Sequence, residues 1–423
     1  MLLKNARVIN PSDKTDAILD IRIEGEFIKE IASNISSLND EIVYDFKDKV
    51  IVPGLVDIHC HLREPGFEGK ETIKTGIDSA LAGGYTAICP MANTKPAVDN
   101  LMALKYTLDK AREAQPIGFY PICALTESLE GDRIVNISQL KEIGAAAFSD
   151  DGRPVENMKL LKIALEYANS LDTLIISHSE DSTLSKDGVI NESYISSRLG
   201  LKGISSSAES VAVARELEIV RELDASYHFA HISTKRSIEL IRQAKKDGLK
   251  VSCETAPHYF SLTQDNMVDF DARYKVNPPL RTKEDLKAVI EGLKDGTIDV
   301  IATDHAPHTI EEKQLPIQNA PMGIVGFETA LGLTLTNLVD KGHLKLSEAI
   351  EKLSYNPAKI LKLNEQGVID PGAKANLTII DLNLEWVVKA DEFKSKCKIS
   401  PFEGVKLKGK AIATIVNGKF SIG

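Results

Sequence analysis

The sequence lacks the features that mark several large classes of protein. No apolar stretch reaches the roughly 18 residues needed to span a bilayer, and the opening segment MLLKNARVINPSDK has no apolar signal-peptide core. Basic residues are not in excess, because 51 Lys and Arg stand against 61 Asp and Glu, a net charge of -10. This balance argues against nucleic-acid binding, although a local pocket charge can still suit an anionic small molecule. We expect a cytoplasmic protein that binds neither membranes nor nucleic acids.

Cysteine is also scarce and its spacing is uninformative. The five cysteines are far apart, odd in number and form no CxxC pair, so we expect reduced thiols. Hydrophobic residues make up 43% and charged residues 26% of the chain, which is ordinary for a globular protein. Intrinsic disorder, collagen-like repeats and a disulfide scaffold are therefore excluded.

Both ends of the chain show the pattern of β-strands. ILDIRIEGEFIKEIA near the start and ANLTIIDLNLEWVV near the end alternate apolar and polar residues, and Asn417-Gly418 is a hairpin signal. Neither end is long enough to bury a core alone. We therefore predict a small β-sandwich domain built from both termini, residues 1–52 plus 364–423.

The middle of the chain alternates short apolar runs with helical patterns such as ENMKLLKIALEYANS. Eight such runs can be counted: GLVDIHCH, GYTAICPM, IGFYPICAL, AAAFSDD, TLIISH, SYHFAH, KVSCET and DVIATDH. Strands that alternate with helices indicate a parallel sheet covered by helices. Eight units fit an α/β fold, a (β/α)8 TIM-like barrel over residues 53–363, with longer insertions after the fifth and seventh runs.

Histidine and aspartate follow several of these runs, where the active sites of such barrels lie. The residues in question are His59, His61, Asp150, Asp151, His178, His231 and Asp304. His59 and His61 are two apart on one strand, so both rings face the same side while Cys60 faces the other. This distribution predicts that the side chains meet at one mouth of the barrel.

These residue types are metal ligands. Imidazole and carboxylate together suit Zn²⁺, with Mn²⁺, Co²⁺ or Fe²⁺ as alternatives. Four histidines and two aspartates exceed one tetrahedral shell, so a metal pair that shares one bridging carboxylate, from Asp150 or Asp151, would use them all. His228 and His343 are assigned no role, and His258 in ETAPHY stays open as a supporting residue.

At this point the chain resembles a known family. GLVDIHCHLREPG, CPMANTKPAVD, FSDDG, SHSED, AHIST, ETAPHY, KVNPPLR and ATDHAPH occur in order from Pro53 to beyond Gly323. Together they are similar to the dihydroorotases of the amidohydrolase superfamily, in the bacterial type I branch. HxHxREPG and TDHAPH are typical of cyclic-amide hydrolases, and NTKP and FSDDG narrow the resemblance to dihydroorotase.

The resemblance implies two zinc ions bridged by Asp151, with a single zinc as the alternative. The remaining ligands would be His59, His61 and Asp304 for one ion and His178 and His231 for the other. Many superfamily members bridge their metals with a carbamylated lysine instead. Here no lysine occurs between Lys141 and Lys159, which separates the chain from most hydantoinases, dihydropyrimidinases and allantoinases.

The activity implied is reversible hydrolysis of L-dihydroorotate to N-carbamoyl-L-aspartate in the de novo synthesis of UMP. A metal-bridging hydroxide would be the nucleophile, and Asp304 would act as general base and then general acid. The substrate contacts implied are His61, Arg63, Asn93, Asn277, His308, Met322 and Gly323. The implied partners are a second copy of the chain, as a homo-oligomer, and aspartate transcarbamoylase.

Two alternatives and one further hypothesis complete the sequence-based expectations. Another cyclic amidase, such as an allantoinase or dihydropyrimidinase, would share the strand-end ligands. An inactive barrel kept as a structural partner of aspartate transcarbamoylase would be expected to lose ligands, and none is missing. The segment HAPHTIEEKQLPIQNAP, residues 305–321, is polar and broken by proline, so we expect a mobile lid over the substrate.

Overall fold

The N-terminal segment forms short strands, as the alternating sequence predicts. In the computed structural model, which describes residues 1–422, Gly25 takes a positive φ of 60° in the tight turn between the second and third strands. The strands are β1 (Leu2–Asn10), β2 (Thr15–Glu24), β3 (Phe27–Ala32), β4 (Val43–Asp45) and β5 (Val50–Pro53).

The eight apolar runs of the middle region all form strands of a parallel barrel, which confirms the predicted fold class. Their bounds are β6 (Leu55–Cys60), β7 (Tyr85–Pro90), β8 (Gly118–Phe119) with β9 (Ile122–Cys123), β10 (Ala147–Phe148), β11 (Ile175–Ser177), then β12 (Ile190–Asn191) and β13 (Gly203–Ile204) in an insertion, and β14 (Tyr227–Phe229), β15 (Val251–Thr255) and β16 (Val300–Ile301). The third run is divided between β8 and β9, which pair with β7 and β10 respectively. A parallel bridge between Cys60 and His305 joins the last strand region to the first.

Helices follow the strands and cover the barrel. Side-chain caps fix several of their starts, for example Asn157, which accepts from the amides of Lys159 and Leu160. The helices are α1 (Ile73–Ala82), α2 (Leu101–Glu113), α3 (Ile137–Ile143), α4 (Met158–Ser170), α5 (Ser182–Ser185), α6 (Tyr194–Leu199), α7 (Ser206–Leu223), α8 (Lys235–Lys246), α9 (Lys283–Lys294), α10 (Ile310–Lys313), α11 (Phe327–Thr334), α12 (Leu346–Ile350) and α13 (Asn356–Ile360). Short π-helical segments follow α11 and α12, at Leu335–Val339 and Glu351–Tyr355.

The C-terminal strands return to the N-terminal ones. They are β17 (Leu377–Val387), β18 (Lys406–Val416) and β19 (Lys419–Ile422), and Asn417 and Gly418 form the turn between the last two with positive φ. Within residues 1–422, both ends of the chain form one eight-stranded sheet in the order β19-β18-β17-β5-β1-β2-β3, with β4 paired to β1. This confirms a small β unit built from both termini, while its boundaries at residues 52 and 364 stay a prediction.

The barrel is held rigid by a continuous apolar core between strands and helices. Phe148 on β10 and Phe229 on β14 are both fully buried in it. Such an interior is close-packed, so the strand ends that emerge from it have fixed positions. Among residues 1–422, no helix is both long and apolar enough to cross a bilayer.

We expect Phe148→Ala to lower the free energy of unfolding by about 3–5 kcal/mol, because it leaves a cavity in the core at the end of β10, just before the Asp150-Asp151 pair. Phe270→Ala is the control, since Phe270 is 56% exposed and its removal empties no core space. Urea unfolding followed by circular dichroism measures both. Equal losses in the two variants would contradict this account of the core.

Candidate active site

The barrel's C-terminal mouth brings together the six side chains that the sequence predicts as ligands. Each lies at or just after the end of a strand, and each is buried. They are His59 and His61 at β6, Asp151 after β10, His178 after β11, His231 after β14 and Asp304 after β16. Residues up to 245 positions apart in the chain therefore share one small volume because the strands are parallel and the barrel is closed.

Asp151 lies at the centre of this cluster. Its Oδ1 is 3.5 Å from His59 Nε2, 3.5 Å from His178 Nδ1 and 3.4 Å from His231 Nε2, while its Oδ2 is 3.5 Å from His61 Nε2. Two groups of potential metal ligands result, each with two histidines, and Asp151 belongs to both. The arrangement fits two metal positions that share one carboxylate.

The neighbouring Asp150, which the spacing alone does not distinguish from Asp151, faces a different environment. Its carboxylate accepts hydrogen bonds from the backbone amides of Leu125 and Thr126 at 2.8 Å and 3.0 Å, and from the Thr126 hydroxyl. These donors satisfy Asp150 within the protein and fix the loop that follows β9. The geometry therefore favours Asp151 as the shared ligand.

Asp304 completes the cluster from β16. Its Oδ1 is 3.2 Å from His61 Nε2 and 3.6 Å from His59 Nε2. The backbone of Asp304 has a positive φ of 46°, a conformation that costs a non-glycine residue energy. The buried carboxylate of Asp57 holds the preceding Thr303 by its amide, at 2.9 Å, and by its hydroxyl, at 2.6 Å. This clamp keeps Asp304 in its unusual conformation.

Unpaired polar atoms show that the cluster fits a metal ion. Within residues 1–422, the buried atoms His59 Nε2 and Asp151 Oδ1 have no hydrogen-bond partner, although both face other ligand atoms. A buried polar atom without a partner costs about 1–3 kcal/mol. A divalent cation would remove this cost, because imidazole nitrogen and carboxylate oxygen are its normal donors.

The site is strongly charged at neutral pH. The carboxyl groups of Asp151 and Asp304 and the guanidinium of Arg63 all lie at its surface. Burial lowers the pKa of Arg63 to about 10, so this guanidinium stays cationic. His258, left open by the sequence, is buried and its pKa falls to about 4 through burial, so it is neutral, and neither ligand group includes it.

Sequence reasoning missed the residue that supports the first ligand. Glu254 on β15 lies with its Oε1 2.5 Å from His59 Nδ1, and the same oxygen is 3.4 Å from the backbone amide of His231. His228, assigned no role from the sequence, places Nε2 3.3 Å from Glu254 Oε2 and Nδ1 2.7 Å from Ser252 Oγ. Because His59 Nδ1 donates to Glu254, Nε2 keeps its lone pair for a metal.

A sequence signal for Glu254 did exist. It lies in the seventh apolar run, KVSCET, at the strand end where the other ligands occur on their own strands. What the sequence does not reveal is the partner, since His59 and Glu254 are separated by 195 residues. Glu254 supports a ligand rather than joining the two ligand groups.

A cavity of about 220 Å³ opens beside the cluster. Of the sequence-predicted substrate contacts, six line it directly: His61, Arg63, Asn93, Asn277, Met322 and Gly323. His308 does not line the cavity. Its ring lies behind the wall, with Nε2 2.8 Å from the carbonyl oxygen of Met322.

Arg63 and Asn93 are both held by the protein. Arg63 Nε donates to the carbonyl of Pro307 at 3.1 Å, its Nη2 lies 3.4 Å from His308 Nε2, and the side chain lines the cavity. Asn93 Oδ1 accepts from His61 Nδ1 at 2.9 Å, so His61, like His59, presents Nε2 to the cluster. Asn93 thus fixes a ligand tautomer in addition to lining the cavity.

Lys70, which the sequence did not single out, fixes the tautomer of His308. Its Nζ lies 3.4 Å from His308 Nδ1 and 2.9 Å from Glu312. Burial and the nearby cations, first among them Arg63, lower the pKa of His308, so the ring is neutral and carries one proton. With Nδ1 accepting from Lys70, that proton lies on Nε2 and is donated to the carbonyl of Met322.

We expect Glu254→Gln to bind Zn²⁺ about 10–100-fold more weakly, because the substitution removes the negative charge that orients His59. Competition with a chromophoric chelator measures the affinity. Glu328→Gln is the matched control, since this carboxylate accepts from Ser79 and the backbone of Lys394 and touches no ligand. Equal zinc affinity in the Glu254 and Glu328 variants would contradict the supporting role.

Comparison with known proteins agrees with this geometry. The family model described as "Dihydro-orotase-like" matches residues 48–237, and that of the "Amidohydrolase family" matches residues 217–422. Among solved structures, the L-hydantoinase (dihydropyrimidinase) from Arthrobacter aurescens superposes with a TM-score of 0.90 at 26% identity, covering 100% of this chain and 95% of that one. A dihydropyrimidinase from Brevibacillus agri shares the fold, with a TM-score of 0.86 at 23% identity. The superposition covers 100% of this chain and 94% of that one.

Curated relatives share a higher sequence identity with this chain than these two solved structures do. The dihydroorotase of Acetivibrio thermocellus is 50% identical over 418 residues, which is 99% of this chain and 98% of the relative. The dihydroorotase of Syntrophus aciditrophicus is 47% identical over 99% and 98% of the two chains. With identity of this extent along its whole length, the chain belongs to the dihydroorotase family.

Proposed function

We propose that this chain is a zinc-dependent dihydroorotase, which interconverts L-dihydroorotate and N-carbamoyl-L-aspartate in the de novo synthesis of UMP. The observation that carries the proposal is the cluster around Asp151 beside the cationic Arg63, in a chain half identical to a dihydroorotase along its full length. Neither part is sufficient alone. The cluster supports metal-assisted hydrolysis, and the relatives narrow the substrate.

The metal would be held by the six clustered side chains. His59, His61 and Asp304 would hold one zinc ion, His178 and His231 the second, and Asp151 would bridge them, with a single zinc as the alternative. Bound zinc supplies Lewis acidity, which polarises the amide carbonyl and makes water a better nucleophile at neutral pH. Asp151 takes the place of the carbamylated lysine found in many relatives of this superfamily.

Arg63 would bind the substrate carboxylate. It lies in the cavity wall close to the cluster, and a guanidinium can bind a carboxylate through two parallel hydrogen bonds. The side chains of Asn93 and Asn277 and the backbone at Met322 and Gly323 line the same cavity and would contact the remaining polar groups of the ring. His308 would act from behind by holding the Met322 carbonyl.

Asp304 would move the proton that the reaction requires. It lines the cavity, with its Oδ1 3.2 Å from His61 Nε2, and its carboxylate can accept a proton from the attacking water. The same carboxyl would then donate that proton to the ring nitrogen as the amide bond breaks. Ring closure uses the same two transfers in reverse order.

The proposed pathway also carries expectations about setting. We propose that the chain works in the cytoplasm as a homo-oligomer, with aspartate transcarbamoylase as a candidate partner. Light scattering coupled to size-exclusion chromatography tests whether the chain is a homo-oligomer. Co-elution with the purified transcarbamoylase tests whether the two proteins bind each other.

We expect the purified chain loaded with zinc to hydrolyse dihydroorotate, to lose activity on chelation and to regain it with added zinc.

Asp304→Asn should lower kcat by at least about 10²–10⁴-fold, because it removes the proton acceptor as well as a ligand charge. Asp172→Asn, at an exposed aspartate that is paired with Lys362, is the control. Assays with allantoin and dihydrouracil run in parallel. Turnover of either one without turnover of dihydroorotate would replace this proposal with another cyclic amidase.

Arg63→Met should raise KM for dihydroorotate about 10–100-fold, because a charged hydrogen bond to the substrate contributes about 1.5–3 kcal/mol. Zinc content should not change, since Arg63 belongs to neither ligand group. Steady-state kinetics and elemental analysis of the same samples measure both quantities. Arg112→Met, at an exposed arginine on α2, serves as control. Loss of zinc with an unchanged KM would show that the assigned role is wrong.

A further inference from the structure

Two loops form one wall of the cavity. The first carries Val276 and Asn277, after β15, and the second carries Met322 and Gly323, after α10. The amide of Gly323 donates to the carbonyl of Lys275 at 2.9 Å, which is the direct backbone contact between them. One hydrogen bond is not enough to fix the distance between two loops. The side chains behind this wall add further connections between them.

Lys313, the last residue of α10, lies behind both loops. Its ammonium donates to the carbonyls of Ala272 and Lys275 on the first loop, at 3.1 Å each, and to that of Pro321 on the second, at 3.0 Å. The side chain is 93% buried, since only 7% of the residue is exposed. All three ammonium protons are therefore used to connect the chain on both sides of the wall.

Lys275 makes the reciprocal connection. It belongs to the first loop, and its ammonium donates to the carbonyls of Ile317, Gln318 and Ala320 on the second, at 2.6 Å, 3.3 Å and 2.6 Å. These three carbonyls lie in the segment that the sequence predicts to be a mobile lid. In this structure the buried ammonium groups of Lys275 and Lys313 hold that segment against the first loop by hydrogen bonds.

The energetic balance indicates a specific purpose for Lys313. Burying an ammonium group is costly, and carbonyl oxygens repay the cost only while all of its donors are used. Burial lowers the pKa of Lys313 to about 7, and the nearby cations Lys275 and Arg63 lower it further, while the carboxylate of Asp271 raises it. The Cys397 thiol also lies close to it, but burial raises the pKa of that thiol, so it carries no charge. A neutral methionine of similar length would fill the same space without the cost of burying a charge, but it could not donate hydrogen bonds to the two loops.

We propose that Lys313 is a positioning residue, whose ammonium sets the distance between the Asn277 loop and the Met322–Gly323 loop and so shapes the wall that faces the substrate. The inference rests on the proposed function only for the identity of that substrate. Lys313 itself does not line the cavity, so its influence on the reaction passes through the two loops.

The experiment compares two buried lysines. Lys313→Met removes the connection, and Lys352→Met is the matched control. Lys352 is equally buried, at 7% exposure, and its ammonium donates to the backbone carbonyl of Ile298 at 2.7 Å. Ile298 lies just before β16, whereas Asp304 follows the other end of that strand. Both variants lose a buried hydrogen-bonded ammonium. Only the first loses one behind the cavity wall.

Two readouts are measured at pH 6, where Lys313 is charged. We expect Lys313→Met to raise KM for dihydroorotate about tenfold, the effect of about one lost hydrogen-bonded contact, while kcat changes by less than about threefold. Backbone amide hydrogen exchange in residues 314–323 should become at least about tenfold faster, since local opening costs less. Lys352→Met should leave both quantities unchanged.

Equal KM and equal exchange in the Lys313 and Lys352 variants would overturn the proposal. If the methionine variant does not fold, Lys313→Gln replaces it, because glutamine keeps two N–H donors without the charge. A KM and an exchange rate between those of the wild type and those expected for Lys313→Met would support the proposal. Hydrogen exchange needs no substrate. If the wild-type chain does not turn over dihydroorotate, the proposed function fails, yet faster exchange confined to the Lys313 variant still supports its positioning role.

Discussion

The site depends on one buried carboxylate that four imidazoles approach. Asp151 lies within 3.5 Å of histidine nitrogens from β6, β11 and β14, and its Oδ1 has no hydrogen-bond donor among residues 1–422. A charged group in such a place is stable only if cations or a metal surround it. The closed parallel barrel meets this condition, since it directs the ends of separate strands toward one point and its packed core keeps them there.

A second set of acceptors orients the candidate ligands. Glu254 accepts from His59, and Asn93 accepts from His61, so each ring presents Nε2 inward. Asp57 holds the residue before Asp304, whose backbone is in a left-handed conformation. Glu254 and Asp57 are themselves fully buried, so the surrounding structure imposes a backbone and ring geometry that is unfavourable on its own.

Much of this could be predicted from the sequence because it depends on local periodicity. The HxH pair, the strand-end aspartates and the eight apolar runs are all visible within short windows, and all eight runs form barrel strands. The supporting contacts could not be predicted, because they join residues far apart in the chain. Glu254 meets His59 across 195 positions, and Lys313 meets Lys275 across 38. Periodicity shows which side of a strand a residue occupies, but not which partner it meets there.

The same distinction explains why the fold alone does not identify the substrate. The hydantoinase from Arthrobacter aurescens shares the fold at a TM-score of 0.90 with only 26% identity. A metal cluster at a barrel mouth activates water toward many amides, so it defines a reaction class. Under the proposed function, substrate choice would lie in the cavity wall, which Arg63 and the loops at Asn277 and Gly323 line. Those loops are joined by buried lysine ammonium groups, so their spacing belongs to the folded structure before any substrate arrives.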